Sequence, residues 1–170
     1  MNKVEFIHAG GGVRRFHTLP MLKEDTVAQH SFGVAWFCSL LMNGSASASI
    51  LMAALTHDLA EQFTGDLPAP AKRELGLSKQ FEAYEETQLC MAGIKFPLLT
   101  DSEKRTLKMA DCMDGAMRCA TEVKLGNAFA GKPFHRFISY INELSPTPFE
   151  YGLLQEILTY FEGDSGEEIH

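Results

Sequence analysis

The sequence has few basic residues. Lysine and arginine together number 15, against 22 aspartates and glutamates, and the formal net charge is −7. Duplex nucleic acid requires a basic surface because its phosphates are negative, so this balance argues against a protein that wraps a duplex. A nucleotide substrate stays open, since one metal ion and a few local cations can supply the positive field.

Long apolar runs and paired cysteines are also missing. No stretch offers about 18 consecutive apolar residues, so the sequence predicts no membrane-spanning helix. Residues 1–12 lack the basic flank and apolar run of a signal peptide. The cysteines form no CxxC pair, which indicates buried, reduced thiols in a cytoplasmic protein, or in the host cytoplasm if a phage encodes the chain. They are Cys38, Cys90, Cys112 and Cys119.

The sequence also lacks the period-two alternation of apolar and polar residues that is typical of strands. A chain of 170 residues with 45% hydrophobic content can bury a sizeable core. We therefore predict an all-α protein, with six or seven helices in a single compact domain over residues 1–170. Residues 163–170 form a polar, acidic end that we expect to be flexible.

The predicted helices are bounded by capping and turn residues. Thr26 and Gln29 match a capping box, and Asp101 or Ser102 is the expected cap of the longest helix. The run Gly10–Gly12 predicts the end of the first helix, with a phosphate-binding loop as the alternative. The predicted helices span residues 1–9, 26–42, 49–62, 78–93, 101–124, 134–144 and 149–162, with a short helical piece at 71–73.

The central predicted helix carries three ionisable groups among apolar residues. His57 and Asp58 are adjacent, about 100° apart on a helix, and Glu61 lies four residues after His57 on the same face. A buried carboxylate requires a cation, a metal or several donors, because burial without a partner is costly. Imidazole and carboxylate together suit a divalent metal. For the pair alone, a surface salt bridge or a capped helix end is the simpler explanation.

Other candidate residues lie far from this pair in sequence. His30, near a helix start, is by itself more often a hydrogen-bonded residue than a ligand. Asp111 and Asp114 fall in the apolar middle of the longest helix, where a buried cation would explain a carboxylate. Arg15 and Phe16 lie in a segment without periodicity, which is either a solvated turn or a loop that grips phosphate and stacks on a ring.

In chain order, His30, the pair His57-Asp58, and Asp111 resemble the H…HD…D signature of HD-domain metal-dependent phosphohydrolases. The turn at residues 64–68, Thr-Gly-Asp-Leu-Pro, and the approach segment from Arg15 resemble the 5′-deoxynucleotidase branch, and the resemblance covers residues 13–124. It implies an HD-domain helical bundle in which these four residues hold one divalent ion. Zinc, cobalt or manganese is expected, with magnesium as an alternative.

The resemblance also implies roles for the residues around the ion. Glu61 would accept a proton from the attacking water, and Asp66 would be a second acid that orients the nucleophile or protonates the leaving oxygen. Arg15 and Lys72 would neutralise phosphate charge.

Three further residues would surround the base of the nucleotide: Phe16, Thr18 and Pro70. Family members often carry tryptophan where Phe16 stands, and phenylalanine keeps the stacking surface but loses the indole donor. By analogy with small phage members of the family, these three side chains would crowd the 2-position of a bound purine and reject a 2-amino group.

Two subfamilies differ in substrate. Bacterial 5′-deoxynucleotidases take deoxynucleoside monophosphates, whereas small phage relatives take a triphosphate, notably dATP, and release triphosphate. The short chain and its segments at 15–18 and 68–72 are closer to the phage type. The cations Arg14, Arg15, Lys72 and Arg73 are more than one phosphate requires. We therefore expect a dATP triphosphohydrolase, with a monophosphate 5′-deoxynucleotidase as the alternative.

A non-catalytic nucleotide-binding HD protein is a second alternative, although a pure binder would have little use for the base Glu61. Small HD domains often assemble, so a homo-oligomer, dimer or hexamer, is expected. A late aromatic group is either an interface or core: Phe129, Phe134, Phe137 and Tyr140.

Overall fold

A computed structural model describes residues 2–163, so the predicted acidic tail lies outside it from residue 164 onward. Within these residues there are eight α-helices and two short 3-10 helices, Leu59–Gln62 and Ala128–Ala130. None of these helices is both long and apolar enough to cross a membrane. The α-helices are α1 (Lys3–Gly11), α2 (Val27–Leu41), α3 (Ala48–Thr56), α4 (Ala69–Glu74), α5 (Ser78–Met91), α6 (Asp101–Lys124), α7 (Gly131–Glu143) and α8 (Pro148–Glu162).

The all-α prediction is confirmed, with one helix more than expected because the short piece around residue 72 forms a helix of its own. The Thr26 capping box is present, and both of its hydrogen bonds form. The predicted cap of α6 is wrong by one residue. Thr100 caps that helix, because its hydroxyl accepts the N–H of Glu103 while the Glu103 carboxylate accepts the N–H of Thr100.

Helix α6 is the centre of the fold. Its side chains Met109, Met113, Ala116 and Ala120 are fully buried at helical spacing. It packs against α2, α7 and α8, and more lightly against α3. Burial of each methionine contributes about 1.5–3 kcal/mol and burial of each alanine less, so the middle of α6 is held firmly. Acidic residues on this stretch are consequently fixed relative to α2.

The predicted continuous helix over residues 49–62 is wrong. Helix α3 ends at Thr56, Asp58 has φ −104° and ψ 2°, and the 3-10 helix Leu59–Gln62 follows. The Thr56 hydroxyl and the His57 ring each donate 2.8 Å hydrogen bonds to carbonyls of the last turn of α3. Such side-chain donors stabilise a helix end and bend the chain. The turn therefore sets the directions of His57 and Asp58.

Close packing explains one glycine of the predicted helix end. Helix α1 ends at Gly11 with Gly12 as its cap, as predicted, and φ is negative at this cap. A Cβ on Gly10 would clash with the backbone of Leu59. Gly10 thus lets α1 lie directly against the 3-10 helix of the central stretch.

Three orientations on α5 differ from the sequence prediction. Apolar spacing predicts that Tyr84 and Cys90 face inward and that Glu85 faces solvent. Tyr84 is instead 43% exposed, and Cys90 is exposed. The half-buried carboxylate of Glu85 lies 3.5 Å from the ammonium of Lys72, so the inner face of α5 is partly charged. The other three cysteines are buried, and all four are free thiols.

Candidate active site

Two histidines from different helices face each other. His30 on α2 is 1% exposed, His57 caps the end of α3, and their ring centroids lie 5.3 Å apart. The Nδ1 of His57 lies 2.8 Å from the carbonyl oxygen of Ala54, which can only accept, so this nitrogen carries the proton. The Nδ1 of His30 lies 2.6 Å from a carboxylate oxygen of Asp114.

Both Nε2 atoms are therefore directed at the same point. Among the residues that the structure describes neither has a hydrogen-bond partner, although both are buried, and each lies 3.4 Å from Oδ2 of Asp58. Ligand atoms of His30, His57 and Asp58 all lie within 4.8 Å of one another. Orphaned imidazole nitrogens beside a carboxylate oxygen are the donor set of zinc and similar divalent ions. The residues present thus fit a divalent cation.

Asp111 on α6 reaches the same point from the other side. Its Oδ1 lies 3.3 Å from Nε2 of His30, and its Oδ2 lies 2.6 Å from the ammonium of Lys108. Burial opposes its ionisation, but Lys108 and His30 hold the pKa of Asp111 well below its ordinary value. In the same way His57, His30 and Arg15 outweigh burial and lower the pKa of Asp58. Both acids are anionic here.

The local field at this cluster is negative. Burial and Arg15 lower the pKa of His30, but the nearby carboxylates of Asp111, Asp114 and Asp58 outweigh them and raise it to about 9. A site that draws a proton onto a buried imidazole in this way also favours a metal cation in the proton's place.

Glu61 lies on the 3-10 helix and is 5% exposed. Its Oε1 is 3.8 Å from the ammonium of Lys72, and its buried Oε2 has no hydrogen-bond partner in the described part of the chain. Burial and the charges of Asp58 and Asp66 raise the pKa of Glu61 to about 9, although Arg15 and Lys72 oppose them. This carboxyl therefore has a high affinity for a proton.

Asp66 supports the loop that approaches the cluster. Its Oδ2 accepts the N–H of Phe16 at 2.8 Å. Phe16 has φ +53°, a left-handed conformation that costs a non-glycine residue about 1 kcal/mol or more. The hydrogen bond offsets that cost and holds the backbone of Phe16, whose ring lies beside the guanidinium of Arg15.

A cavity of about 300 Å³ opens onto these acids. Asp58, Glu61, Asp66 and Asp111 line it, so the four acids predicted from sequence are brought together. The five predicted substrate-binding residues line it as well: Arg15, Phe16, Thr18, Pro70 and Lys72. The two histidines lie behind Asp58 and do not line the cavity.

Sequence reasoning misassigned one cation and missed two others. Arg14 does not line the cavity and pairs with Glu24 at the surface, with 71% of its side chain exposed. The predicted Arg73 lines the cavity and lies over the ring of Tyr140, and the two missed cations, Lys108 and Arg136, line it as well. The spacing of Lys108 one turn before Asp111 was the only signal available for either of the two.

Asp114 was also missed as the partner of His30. It lies three residues after Asp111, on the same face of α6, and this spacing was visible in the sequence. Gly33, three residues after His30, allows the approach, because a Cβ there would clash with the Asp114 carboxylate. The contact between α2 and α6 therefore depends on a histidine, a glycine one turn after it, and two acids on the second helix.

Comparison with known proteins identifies the family. The sequence model of the YfbR-like 5′-deoxynucleotidases matches residues 6–158. The chain belongs to this family. A curated relative, the 5′-deoxynucleotidase YfbR of Escherichia coli O127:H6 (strain E2348/69), is 28% identical, with 68% of this chain and 69% of YfbR aligned.

Two solved structures share the fold. The HD phosphohydrolase DatZ of cyanophage S-2L, bound to dA and one catalytic Zn²⁺ ion, has a TM-score of 0.75 at 15% identity over 95% of this chain and 98% of that one. The PH0347 protein of Pyrococcus horikoshii OT3 has a TM-score of 0.63 at 20% identity over 94% and 97%. At these identities the structures show the fold alone.

Membership of the family and the donor set agree on the class of reaction. This YfbR-like chain is an HD-type, metal-dependent deoxynucleotide phosphohydrolase, and it uses a divalent cation. The non-catalytic alternative is correspondingly disfavoured.

Proposed function

We propose that His30, His57, Asp58 and Asp111 hold one divalent cation, with zinc the first candidate because DatZ carries one catalytic Zn²⁺. The support is the pair of buried Nε2 atoms, which lie beside two anionic carboxylates and have no hydrogen-bond partner within residues 2–163. When bound, such a cation polarises a phosphoryl oxygen and lowers the pKa of water.

The residues around the cation have distinct tasks in this proposal. With the cation bound, its positive charge would lower the pKa of Glu61, and the ionised carboxylate then accepts a proton from the attacking water at Oε2, with which no described residue forms a hydrogen bond. The water oxygen adds to the phosphorus next to the 5′-oxygen, and the bond from that phosphorus to the 5′-oxygen breaks. Asp66 orients the nucleophile or delivers a proton to the leaving 5′-oxygen. Arg15 and Lys72 bind phosphate oxygens.

We propose that the substrate is a deoxynucleoside triphosphate, most specifically dATP, which yields deoxyadenosine and triphosphate. The observation that carries this proposal is the number of cations around the cavity, which exceeds what one phosphate requires. They are Arg15, Lys72, Arg73, Lys108 and Arg136. Lys72 and Lys108 already pair with acids, so Arg73 and Arg136 are the side chains available for the outer phosphates.

The alternative is a 5′-deoxynucleotidase that takes monophosphates, as the name of the family states. The metal-loaded protein should be incubated separately with each dNTP and each dNMP, and the products resolved by chromatography. Deoxyadenosine with free triphosphate from dATP supports the proposal. Turnover confined to monophosphates, with release of inorganic phosphate, supports the alternative.

We also propose that Phe16, Thr18 and Pro70 surround the base, since all three line the cavity. Side chains that surround a purine in this way would crowd its 2-position and exclude a 2-amino group. Hydrolysis of dATP should therefore exceed that of the 2-aminoadenine deoxynucleotide by at least about tenfold. Equal rates on the two substrates would remove this part of the proposal.

Assembly into a homo-oligomer is supported by an exposed apolar face on α2 and α3. Phe32 and Trp36 are 70% and 60% exposed, and Leu40 continues their row along α2. Met52 and Leu55 lie on the outer side of α3. No lysine, arginine, aspartate or glutamate occurs between residues 26 and 57. We propose that a second copy covers this face, because two chains of charge −7 repel least through an uncharged surface.

The exposed apolar area of this face is large enough for an interface between two copies. The five side chains expose on the order of 500 Å² per copy, so two copies would bury about 1,000 Å² from them alone, close to the lower limit for a specific interface. Phe134 of the late aromatic group is in the core, stacked on Phe161. Phe129 of that group is 68% exposed and serves as a control position.

Sedimentation analysis tests the interface. The wild-type protein should sediment as a dimer or higher oligomer, and Trp36→Glu should give monomers that keep their helical content. Phe129→Glu should leave the assembly unchanged. A monomeric wild type, or an oligomer that survives Trp36→Glu, would overturn this assignment of the face.

A further inference from the structure

A buried acid, Asp25, lies directly behind Arg15. The side chains of Asp25 and Arg15 are 9% and 8% exposed, and Oδ2 of Asp25 lies 3.6 Å from Nε of Arg15. The backbone N–H of Arg15 donates to the carbonyl of Asp25 at 2.9 Å. Nη1 of the same guanidinium donates to Oδ2 of Asp58 at 2.9 Å. Arg15 is thus held between the acid behind it and an acid of the proposed metal site.

The segment that carries Asp25 is fastened to α6. Nε of Arg118 lies 4.0 Å from Oδ1 of Asp25, and Arg118 also donates to Glu122 at 3.2 Å. Glu122 is fully buried and accepts the backbone N–H groups of Leu22 and Lys23 at 2.8 and 3.0 Å. A continuous row of charged groups therefore runs from the C-terminal turns of α6 to the cavity.

We propose that Asp25 is a positioning residue that fixes the guanidinium of Arg15 for the binding of substrate phosphate. This inference rests on the proposed function, in which Arg15 binds phosphate. Nε and Nη1 of Arg15 face Asp25 and Asp58, whereas Nη2 makes no hydrogen bond to a described residue and Arg15 lines the cavity. An arginine already fixed in one rotamer loses less entropy when phosphate binds.

The role of Asp25 is separable from the fold. The chain around Arg15 is also closed by backbone groups, since the N–H of Val27 donates to the carbonyl of Val13 at 2.9 Å and Arg14 pairs with Thr26 in an isolated antiparallel bridge. Asp25→Asn removes the charge and keeps the shape of the side chain. This variant should therefore fold.

A double-mutant cycle tests the proposal. Asp25→Asn should lower kcat/KM about tenfold, mainly through KM, when Arg15 is present, and less than about twofold in an Arg15→Ala background, where no guanidinium remains to be positioned. Glu24→Gln is the matched control, because it removes the neighbouring acid that pairs with Arg14 at the surface. Equal losses in the two backgrounds would overturn the proposal.

A second measurement does not depend on turnover. In ¹⁵N-labelled protein, exchange of the Arg15 Nε–H with solvent should be slow, and at least about tenfold faster in Asp25→Asn, because the buried acid restrains this group. Inorganic triphosphate should also bind the variant more weakly by calorimetry. A wild type that hydrolyses no deoxynucleotide would overturn the proposed function, whereas unchanged exchange would overturn only the role of Asp25.

Discussion

The hydrogen bonds at Nδ1 of His30 and His57 determine which nitrogen of each ring can bind a metal. The Nδ1 of His57 is bonded to a carbonyl and that of His30 to a carboxylate, and within residues 2–163 neither buried Nε2 has a hydrogen-bond partner. Nothing in the local sequence of His30 distinguishes it from a core histidine. The difference is made by Asp114, which lies on another helix.

Asp114→Asn should weaken metal binding. An amide does not stabilise the Nδ1–H tautomer of His30 as a carboxylate does, so Nε2 becomes a poorer ligand. We expect the dissociation constant for zinc to rise by about 10–100-fold, measured by competition with a chromophoric chelator. Asp101→Asn, at an exposed position of the same helix, is the control. An unchanged affinity in Asp114→Asn would contradict this role.

Glu61→Gln should keep the metal and lose turnover. The amide fills the same buried space but cannot accept a proton from water, so kcat should fall by about 10²–10⁴-fold. Bound zinc, measured by elemental analysis after dialysis, should stay at the wild-type ratio. Full activity in this variant would show that another group takes the proton, and Glu86→Gln at the exposed side of α5 is the control.

At the scale of helices and loops, capping residues predicted several boundaries well, because a cap is a local interaction within four residues. The break after Thr56 was not predictable from periodicity, since it depends on side chains that bond to carbonyls of their own helix. The orientation of the Glu85 side chain was predicted wrongly for a different reason. Only the packing of α4 brings Lys72 to that side of α5.

The ion pair between Arg105 on α6 and Glu150 on α8, called the clip below, makes the stability of the fold depend on pH. Arg105 donates to both carboxylate oxygens of Glu150, at 2.6 and 2.9 Å, and these bonds together with those from Thr147 lower the pKa of Glu150 to about 2. The folded protein therefore holds Glu150 ionised at a pH where the unfolded chain protonates it. Its contribution is complete above the ordinary glutamate pKa and is lost as the pH falls towards 2.

Glu150→Gln should accordingly lower the free energy of unfolding by about 1–2 kcal/mol at pH 7, a figure that allows for solvent screening at this partly exposed pair. Urea titrations at pH 7, 4 and 2.5 should show the difference from wild type shrinking as the pH falls. A difference that stays constant across this range would contradict the ionic origin of the clip.

At the scale of the whole molecule, the helical class and the order of the helices followed from periodicity, whereas the convergence of His30 and Asp111 was expected only from the resemblance to HD proteins. That convergence depends on the angle and position at which α2 crosses α6, and hydrophobic periodicity carries no information on either. Arg14 and Arg15 illustrate the same limit. Successive residues of an extended segment point to opposite sides, so one arginine is exposed and the other buried, and the sequence does not tell which.

Removal of the metal should lower the stability of the whole chain. A cation that binds only the folded state adds about 4 kcal/mol when its free concentration is 1,000 times the dissociation constant, which corresponds to a rise in Tm on the order of 10 °C. Calorimetry with and without zinc measures the shift. His57→Ala should abolish it and His135→Ala should not, and a wild type whose Tm ignores zinc would contradict the site.

The hydrogen bond between His30 and Asp114 joins residues 84 positions apart in the chain. During synthesis on the ribosome, the imidazole therefore emerges long before the acid that sets its tautomer. A nascent chain that ends before α6 has the histidines but not the arrangement that would make them ligands. We therefore predict that the proposed site acquires its metal late in the maturation of this enzyme, after translation has passed the middle of its longest helix.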